Sequence, residues 1–335
     1  MKELIGKHLI TLDDWSKEEI DAALDLAIEL KERRRAGEIT DWLKNKTLFM
    51  IFFEQSTRTR NSMEAGMTQL GGHAHDLTVD KMQISHGETA RDTAQVLSRM
   101  GEAIAIRNCF YGIGNRYLND IAAESEIPLI SMQDDIYHPL QAIADLMTIR
   151  EKFGENLSGL KVAVSWAFAT SHAKPLSVPQ SQALLFPRFG IDVAIANPPE
   201  FPLMGNILEK ANANAAANGG SLTVYNDMDE AIRDADIVIP KNWGGFGFFE
   251  NFIDDDEHRE LMKANLERHR DWICDARRFA LAKPNARIMH ALPADRGNEI
   301  TDELLDGESS IIYDEAENRL HTAKALLTLT MGRIG

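Results

Sequence analysis

The segment Ser56-Thr57-Arg58-Thr59-Arg60 interleaves hydroxyls with arginines at the end of an apolar, β-rich run, Thr47 to Phe53. A helix-like segment, Asn61 to Leu70, follows. A strand that leads through hydroxyls and arginines into a helix start is one way to hold a phosphate. The first backbone N–H groups of a helix have no intrahelical acceptor and lie at its positive end. Ser and Thr add short donors, and Arg adds a planar fork matched to phosphate oxygens. The same pattern also describes an ordinary N-cap followed by solvated arginines.

Other polar turns follow apolar runs. Arg107 comes straight after Ala103-Ile104-Ala105-Ile106. His138-Pro139-Leu140-Gln141 opens a long helical segment, with proline suited to the first helical position and Gln141 one turn along the same side as His138. His can donate to an oxygen that gains charge, and Gln can read an amide-like group as donor and acceptor. His290-Ala291-Leu292-Pro293 ends another strand-like run, and residues before a proline are held extended and can present fixed carbonyls. Arg296-Gly297 follows, and Glu315-Ala316-Glu317-Asn318-Arg319 leads into the last helical segment. Taken singly, Arg107 also reads as a surface residue and His138 with Gln141 as a helix cap. Together, the turns fall at strand ends in both halves of the chain.

The elements that must position them alternate. A capping-box pattern at Ser16 and Glu19 opens an amphipathic helix to Ala36, with Ile20, Ala23, Leu24, Ala27 and Leu30 on one stripe. Strands are expected at 47–53, 74–79, 103–107, 128–131, 161–166, 191–196, 222–225, 236–240, 286–290 and 310–313, with helices between most of them. This is an α/β pattern: two doubly wound domains with parallel central sheets covered on both faces. Residues 1–150 form the first expected domain and 151–315 the second, and the helix in 316–335 packs back on the first. In such sheets ligands bind beyond the carboxyl ends of the strands.

Composition narrows the function. The 335 residues are 44% hydrophobic and carry a formal charge of −16, which argues against a nucleic-acid or anionic-membrane partner. No apolar run approaches a membrane span, and the first residues, Met1 to Leu4, do not begin a secretory signal. The two cysteines, Cys109 and Cys274, lack the spacing of a zinc site or disulfide framework, so the cytoplasm is the expected compartment. Asp254-Asp255-Asp256-Glu257 lacks calcium-loop spacing and reads as solvated surface.

In their order and approximate spacing, Ser56 to Arg60, His138 to Gln141, His290 to Pro293 and Glu315 to Arg319 resemble the aspartate/ornithine carbamoyltransferases over nearly the whole chain. The resemblance implies a carbamoyl-phosphate domain, an amino-acid domain and a homotrimer with shared active sites. It places Ser56, Thr57, Arg58 and Thr59 on the phosphate of carbamoyl phosphate. Arg107 bridges phosphate and carbonyl oxygen, and Thr59, His138 and Arg319 also face that oxygen. Gln141 and the Leu292 carbonyl, in the turn with His290 and Ala291, hold the carbamoyl NH₂. Gln83, in Met82-Gln83-Ile84-Ser85-His86-Gly87-Glu88, matches a loop that enters the neighbouring subunit's site. The implied chemistry needs no metal and no organic cofactor.

The acceptor amine is where the resemblance divides. The C-terminal part is similar to ornithine carbamoyltransferases, but Ala291 replaces their usual cysteine. Where they carry Asp-x-x-x-Ser-Met-Gly, this chain has Pro240-Lys241-Asn242-Trp243-Gly244. Lys241 and Trp243 are therefore candidate acceptor contacts. A cation there suits an acceptor with a blocked amino group or an extra carboxylate, or else it faces solvent. His172-Ala173-Lys174-Pro175-Leu176-Ser177-Val178-Pro179-Gln180 resembles the proline loop of the knotted N-acetylornithine-type and uncharacterised transcarbamylases. The implied second domain contains a trefoil knot. The acceptor expected is an amino acid or derivative of that uncharacterised branch, with ornithine or N-acylornithine as alternatives and plain aspartate disfavoured. Two other readings stand beside it. One is a nicotinamide dehydrogenase, for which Gly112-Ile113-Gly114 lacks the third glycine. The other is a phosphate-ligand-binding regulatory protein without turnover.

Overall fold

Ser16 caps the first long helix as its sequence demands. Its hydroxyl accepts from the Glu19 N–H and the Glu19 carboxylate accepts from the Ser16 N–H. The helix Lys17–Arg35 buries Ile20, Ala23, Leu24, Ala27 and Leu30, and its last turn carries Arg33, Arg34 and Arg35, complementing the helix dipole. The computed structural model describes residues 4–171, 174–245 and 256–333. Met1 to Glu3, His172 and Ala173 of the proline loop, and Asp254 and Asp255 of the acidic run lie outside the described residues.

The described chain forms two units, Met1–Met147 with Glu317–Gly335, and Thr148–Ala316. It passes between them inside two helices, Pro139–Phe153 and Ile312–Met331. In the first unit β1 (Thr47–Phe52), β2 (His73–Thr78), β3 (Ala103–Asn108) and β4 (Leu129–Asp134) form one parallel sheet in the order β2-β1-β3-β4. Phe49, Ile51, Ile104 and Ile106 pack with Leu97, Leu118 and Ile121 of the helices Ala90–Ser98 and Gly114–Glu124. Burial on both faces is why β1 and β3 read as continuous apolar runs rather than alternating ones. The edge at β4 is covered by Leu9, whose N–H reaches the Leu129 carbonyl at 2.8 Å and whose carbonyl accepts from Ser131 at 2.7 Å.

In the second unit β5 (Lys161–Trp166), β6 (Asp192–Ala196), β7 (Ser221–Tyr225), β8 (Ile237–Lys241) and β9 (Arg287–Ile288) form a second parallel sheet, ordered β7-β6-β5-β8-β9. One expected strand is corrected. Residues 310–313 do not form a strand. Ser310 makes an isolated bridge to Ile288, and the Ile311 N–H bonds the Ile288 carbonyl at 2.9 Å. The chain then turns into helix at Ile312, with Asp314 and Glu315 favouring the first turn. The last helix thus begins four residues before the Ala316 read from sequence.

Gly114 fixes the turn beyond β3. A Cβ there would lie 1.9 Å from the Asn108 carbonyl oxygen, so the helix Gly114–Glu124 starts directly against the strand end beside Arg107. Gly114→Ala should therefore cost about 1–3 kcal/mol of stability through overpacking. Thermal denaturation checks this, and an unchanged transition would mean that the turn relaxes freely.

Candidate active site

Both sheets have one place where the strand order reverses. In the first it lies between β1 and β3, and there Phe52 pairs in register with Arg107. In the second it lies between β5 and β8, and there Trp166 pairs with Lys241. Open α/β sheets bind ligands at this position because connecting chain leaves in opposite directions and opens a crevice at the carboxyl ends. The two charged residues singled out by sequence therefore stand at the geometrically favoured positions of their own sheets.

In the first unit, the helix Arg58–Gln69 begins immediately beyond β1, and Thr57 is its N-cap. The Thr57 hydroxyl makes no capping bond, although the position invites one. Thr57 is exposed, Ser56 and Arg58 are half-buried, and Thr59 is buried. Arg60 is engaged elsewhere: its guanidinium lies 3.9 Å over the Phe52 ring and pairs with Asp76. From the C-terminal helix, Arg319 donates to the Thr59 hydroxyl at 2.8 Å and to the Gln141 side-chain oxygen. Gln141 in turn donates to Asp145 at 2.7 Å. Both ends of the Gln141 amide are thus engaged. Arg107 donates to Gln133 on β4, while its Nε is buried without a hydrogen-bond partner.

His138 is 4% exposed, and burial holds its imidazolium well below the usual range. The cations of Arg319, Arg107 and Arg58 act in the same direction, which places all three within electrostatic reach of the ring. The neutral ring offers a single N–H donor.

The turns that carry these groups are tied by carboxylates absent from the sequence-based set. Asp134 accepts from the Ile136 and Tyr137 N–H groups at 2.8 and 2.6 Å, shaping the approach to His138. Burial pushes the Asp134 carboxyl up to about 7. Asp135 accepts from Gly112 and Asn115, each at 2.7 Å, and Glu54 accepts from the Cys109 N–H at 2.8 Å. Gln83 sits exposed on the short turn Gln83–His86, and its side chain makes no hydrogen bond among the described residues.

The second unit is organised around Glu299, which sequence reasoning also missed. Its carboxylate is fully buried and accepts from the Asn242 N–H at 2.7 Å and the Lys241 ammonium at 3.1 Å. The Asp295 N–H at 2.6 Å and the His290 Nε2 at 3.2 Å complete the set. His290 Nδ1 accepts from the Leu292 N–H at 2.9 Å, so the proton lies on Nε2. Burial lowers the His290 pKa, consistent with this neutral tautomer. Both ring nitrogens hold the turn, which corrects the expectation that His290 itself contacts a substrate. Leu292 has φ +47 and precedes a cis Pro293. Ala291 is 8% exposed.

Trp243 is a second correction. It is fully buried, its indole N–H donates to the Phe201 carbonyl at 2.9 Å, and its own carbonyl accepts from Trp166. Its aromatic bulk belongs to the core. Lys241, a candidate acceptor contact with solvent exposure as its alternative, is largely buried and paired with Glu299 at 3.1 Å. No signal of period or motif marks Glu299 in the sequence, since its role depends on three turns meeting. Among the described residues, no cluster of three or more His, Cys, Asp or Glu is placed to hold a metal ion.

Two measurements check this geometry. Histidine-resolved NMR titration should leave His138 neutral from pH 8 down to below the ordinary value of 6.5. An imidazolium forming at 6.5 would remove the buried, arginine-flanked setting. Glu299→Ala strands the Lys241 ammonium and the His290 N–H, and should cost about 3–5 kcal/mol. Denaturant unfolding reads this directly, and a loss below about 1 kcal/mol would make the hub peripheral.

Comparison with known proteins identifies the family. The family described as "Aspartate/ornithine carbamoyltransferase, carbamoyl-P binding domain" matches residues 7–151. "Aspartate/ornithine carbamoyltransferase, Asp/Orn binding domain" matches residues 172–330. The chain is 38% identical to the ornithine carbamoyltransferase of Methanoculleus marisnigri, covering 96% of each sequence. It is 36% identical to the putative carbamoyltransferase YgeW of Escherichia coli, covering 96% of this chain and 89% of that protein. Among solved structures, ornithine carbamoyltransferase from Pyrococcus furiosus superposes with a TM-score of 0.86 at 36% identity over 99% of both chains. Acetylornithine transcarbamylase complexed with acetylcitrulline gives 0.87 at 32% identity, over 97% of this chain and 99% of that one. Two family models that together cover most of the chain, and relatives of 36–38% identity over nearly its whole length, show that the chain belongs to the aspartate/ornithine carbamoyltransferase family.

Proposed function

We propose that this carbamoyltransferase moves the carbamoyl group of carbamoyl phosphate to the amino group of an amino acid or amino-acid derivative and releases phosphate. The observation that carries the reading is the convergence on neutral His138 of three guanidinium groups, Arg58, Arg107 and Arg319. A cationic cluster with hydroxyls beside it suits a small dianion carrying a carbonyl.

The chain's own groups account for each step. Ser56, Thr57, Arg58 and the N-terminus of the helix Arg58–Gln69 bind the phosphate. Arg107 bridges phosphate and carbonyl oxygen. The acceptor's neutral amine attacks the carbamoyl carbon, and the electron pair of the C=O bond collects on oxygen. Thr59, Arg107, His138 and Arg319 donate to that oxygen, stabilising the charge as it forms without a covalent enzyme intermediate. Re-formation of the carbonyl expels phosphate, which can take the amine's proton. Gln141 and the Leu292 carbonyl hold the carbamoyl NH₂ throughout.

The relatives name two acceptor classes, ornithine and its N-acetyl derivative. The absent Asp-x-x-x-Ser-Met-Gly motif and the proline loop with Lys174 to Gln180 support an acceptor of the N-acylated or uncharacterised kind. Ornithine is the alternative. The same resemblance supports a homotrimer in which Gln83 serves a neighbouring site, and a knotted second domain.

Calorimetric titration of the purified protein with carbamoyl phosphate, followed by a colorimetric screen for ureido products over amino acids and N-acylated diamino acids, tests the reading. Saturable binding and turnover of at least one amine are expected. No binding at millimolar carbamoyl phosphate by folded protein would sink it. Arg58→Ala should lower kcat/KM by roughly two to three orders of magnitude while leaving the melting transition in place. Loss of folding instead would make Arg58 structural.

A further inference from the structure

Arg107 is held by a neutral amide. Its Nη1 donates to the side-chain oxygen of Gln133, a buried residue of β4. A slip in the sheet makes this meeting. Along β3 and β4, Ile106 pairs with Ser131 but Arg107 pairs with Gln133, so the ladder skips Met132. Paired residues on neighbouring parallel strands project to the same face, and successive residues alternate between faces. An unbroken register would set Met132 opposite Arg107, and a thioether is only a weak acceptor. The slip instead puts an amide oxygen beside the guanidinium. Extra residues of this kind re-aim side chains beside a site. Two other cations are taken up differently. Arg60 pairs with the Asp76 carboxylate and Lys241 with Glu299. Glu54 acts on Arg107 electrostatically, while its Oε1 accepts from the Cys109 N–H at 2.8 Å. The Arg107 Nε is buried with no hydrogen-bond partner among the described residues.

We infer that Gln133 is a positioning residue that aims the Arg107 guanidinium at the carbonyl oxygen of the bound carbamoyl group. The inference rests on the carbamoyltransferase reading, in which Arg107 bridges phosphate and carbonyl oxygen. A phosphate dianion presents several charged oxygens and attracts a guanidinium in many orientations. A single neutral carbonyl oxygen needs an N–H pointed at it. The guanidinium donates only in its own plane, so fixing one N–H on Gln133 sets the direction of the others. A carboxylate at position 133 would hold the same N–H but offset the charge that the substrate needs. An amide oxygen fixes the orientation and leaves that charge in place.

The test uses the full chain and two ligands, inorganic phosphate and carbamoyl phosphate, titrated calorimetrically without an acceptor. The readout is the gain in affinity of carbamoyl phosphate over phosphate. The wild type should show a gain of roughly tenfold or more. Gln133→Met is close in length but lacks the amide oxygen. It should cut the gain by roughly five- to tenfold and change phosphate affinity by less than about twofold. Gln133→Leu carries the same expectation should Gln133→Met not fold. Gln133→Glu keeps an acceptor and adds a charge, so it should weaken both ligands and preserve the gain. A purely structural role would instead make these variants behave alike. A gain unchanged by Gln133→Met, equal weakening of both ligands by it, or loss of the gain in Gln133→Glu would each overturn the assignment. So would a wild type that binds carbamoyl phosphate no more tightly than phosphate. Absence of carbamoyl-phosphate binding in the folded wild type would instead overturn the carbamoyltransferase reading on which the inference stands.

Discussion

Like charges brought together in a folded protein repel, and three guanidinium groups around one buried imidazole are such a case. Arg58, Arg107 and Arg319 come from a helix start, a strand end and the C-terminal helix, so no local preference gathers them. The surrounding scaffold holds them there. Arg319 is fixed by Thr59 and Gln141, Arg107 by Gln133, and the turn before His138 by Asp134. The chain as a whole carries −16, yet this spot is strongly cationic. A cationic cluster of this kind needs rigid support, because like charges that could relax apart would do so.

The second unit solves a related problem with one buried anion. Glu299 gathers four donors from three turns, and each of those turns follows a strand or leads from one. Its effect on His290 is specific: it fixes the proton on Nε2, which leaves Nδ1 to accept from Leu292 and set the backbone of the turn. The side chain of His290 thereby supports the backbone of its own turn. The pairing of Lys241 with the same carboxylate neutralises that cation within the second unit.

Much of this was legible in the sequence. The capping box at Ser16 and Glu19, the apolar runs of β1, β3, β5 and β8, and the helix opening at Pro139 follow from short-range rules and formed where expected. The segment 310–313 was misread because two isoleucines before an acidic helix start look like a strand. Trp243 was misread for a related reason: an aromatic residue beyond a strand serves a ligand or a core equally well in one dimension. Buried carboxylates left no pattern at all. Asp134, Asp135 and Glu299 work by accepting N–H groups from turns distant in sequence, and no spacing rule records such meetings.

The sequence by itself determined the two parallel α/β sheets and the polar residues at their strand ends, since periodicity, caps and turn residues act over a few positions. Only the tertiary structure decided which strands are neighbours. That choice puts Arg107 beside Phe52 and Lys241 beside Trp166, at the two points where strand order reverses. It also decided which charges are neutralised, because a charge's partner is set by distance in space and by burial.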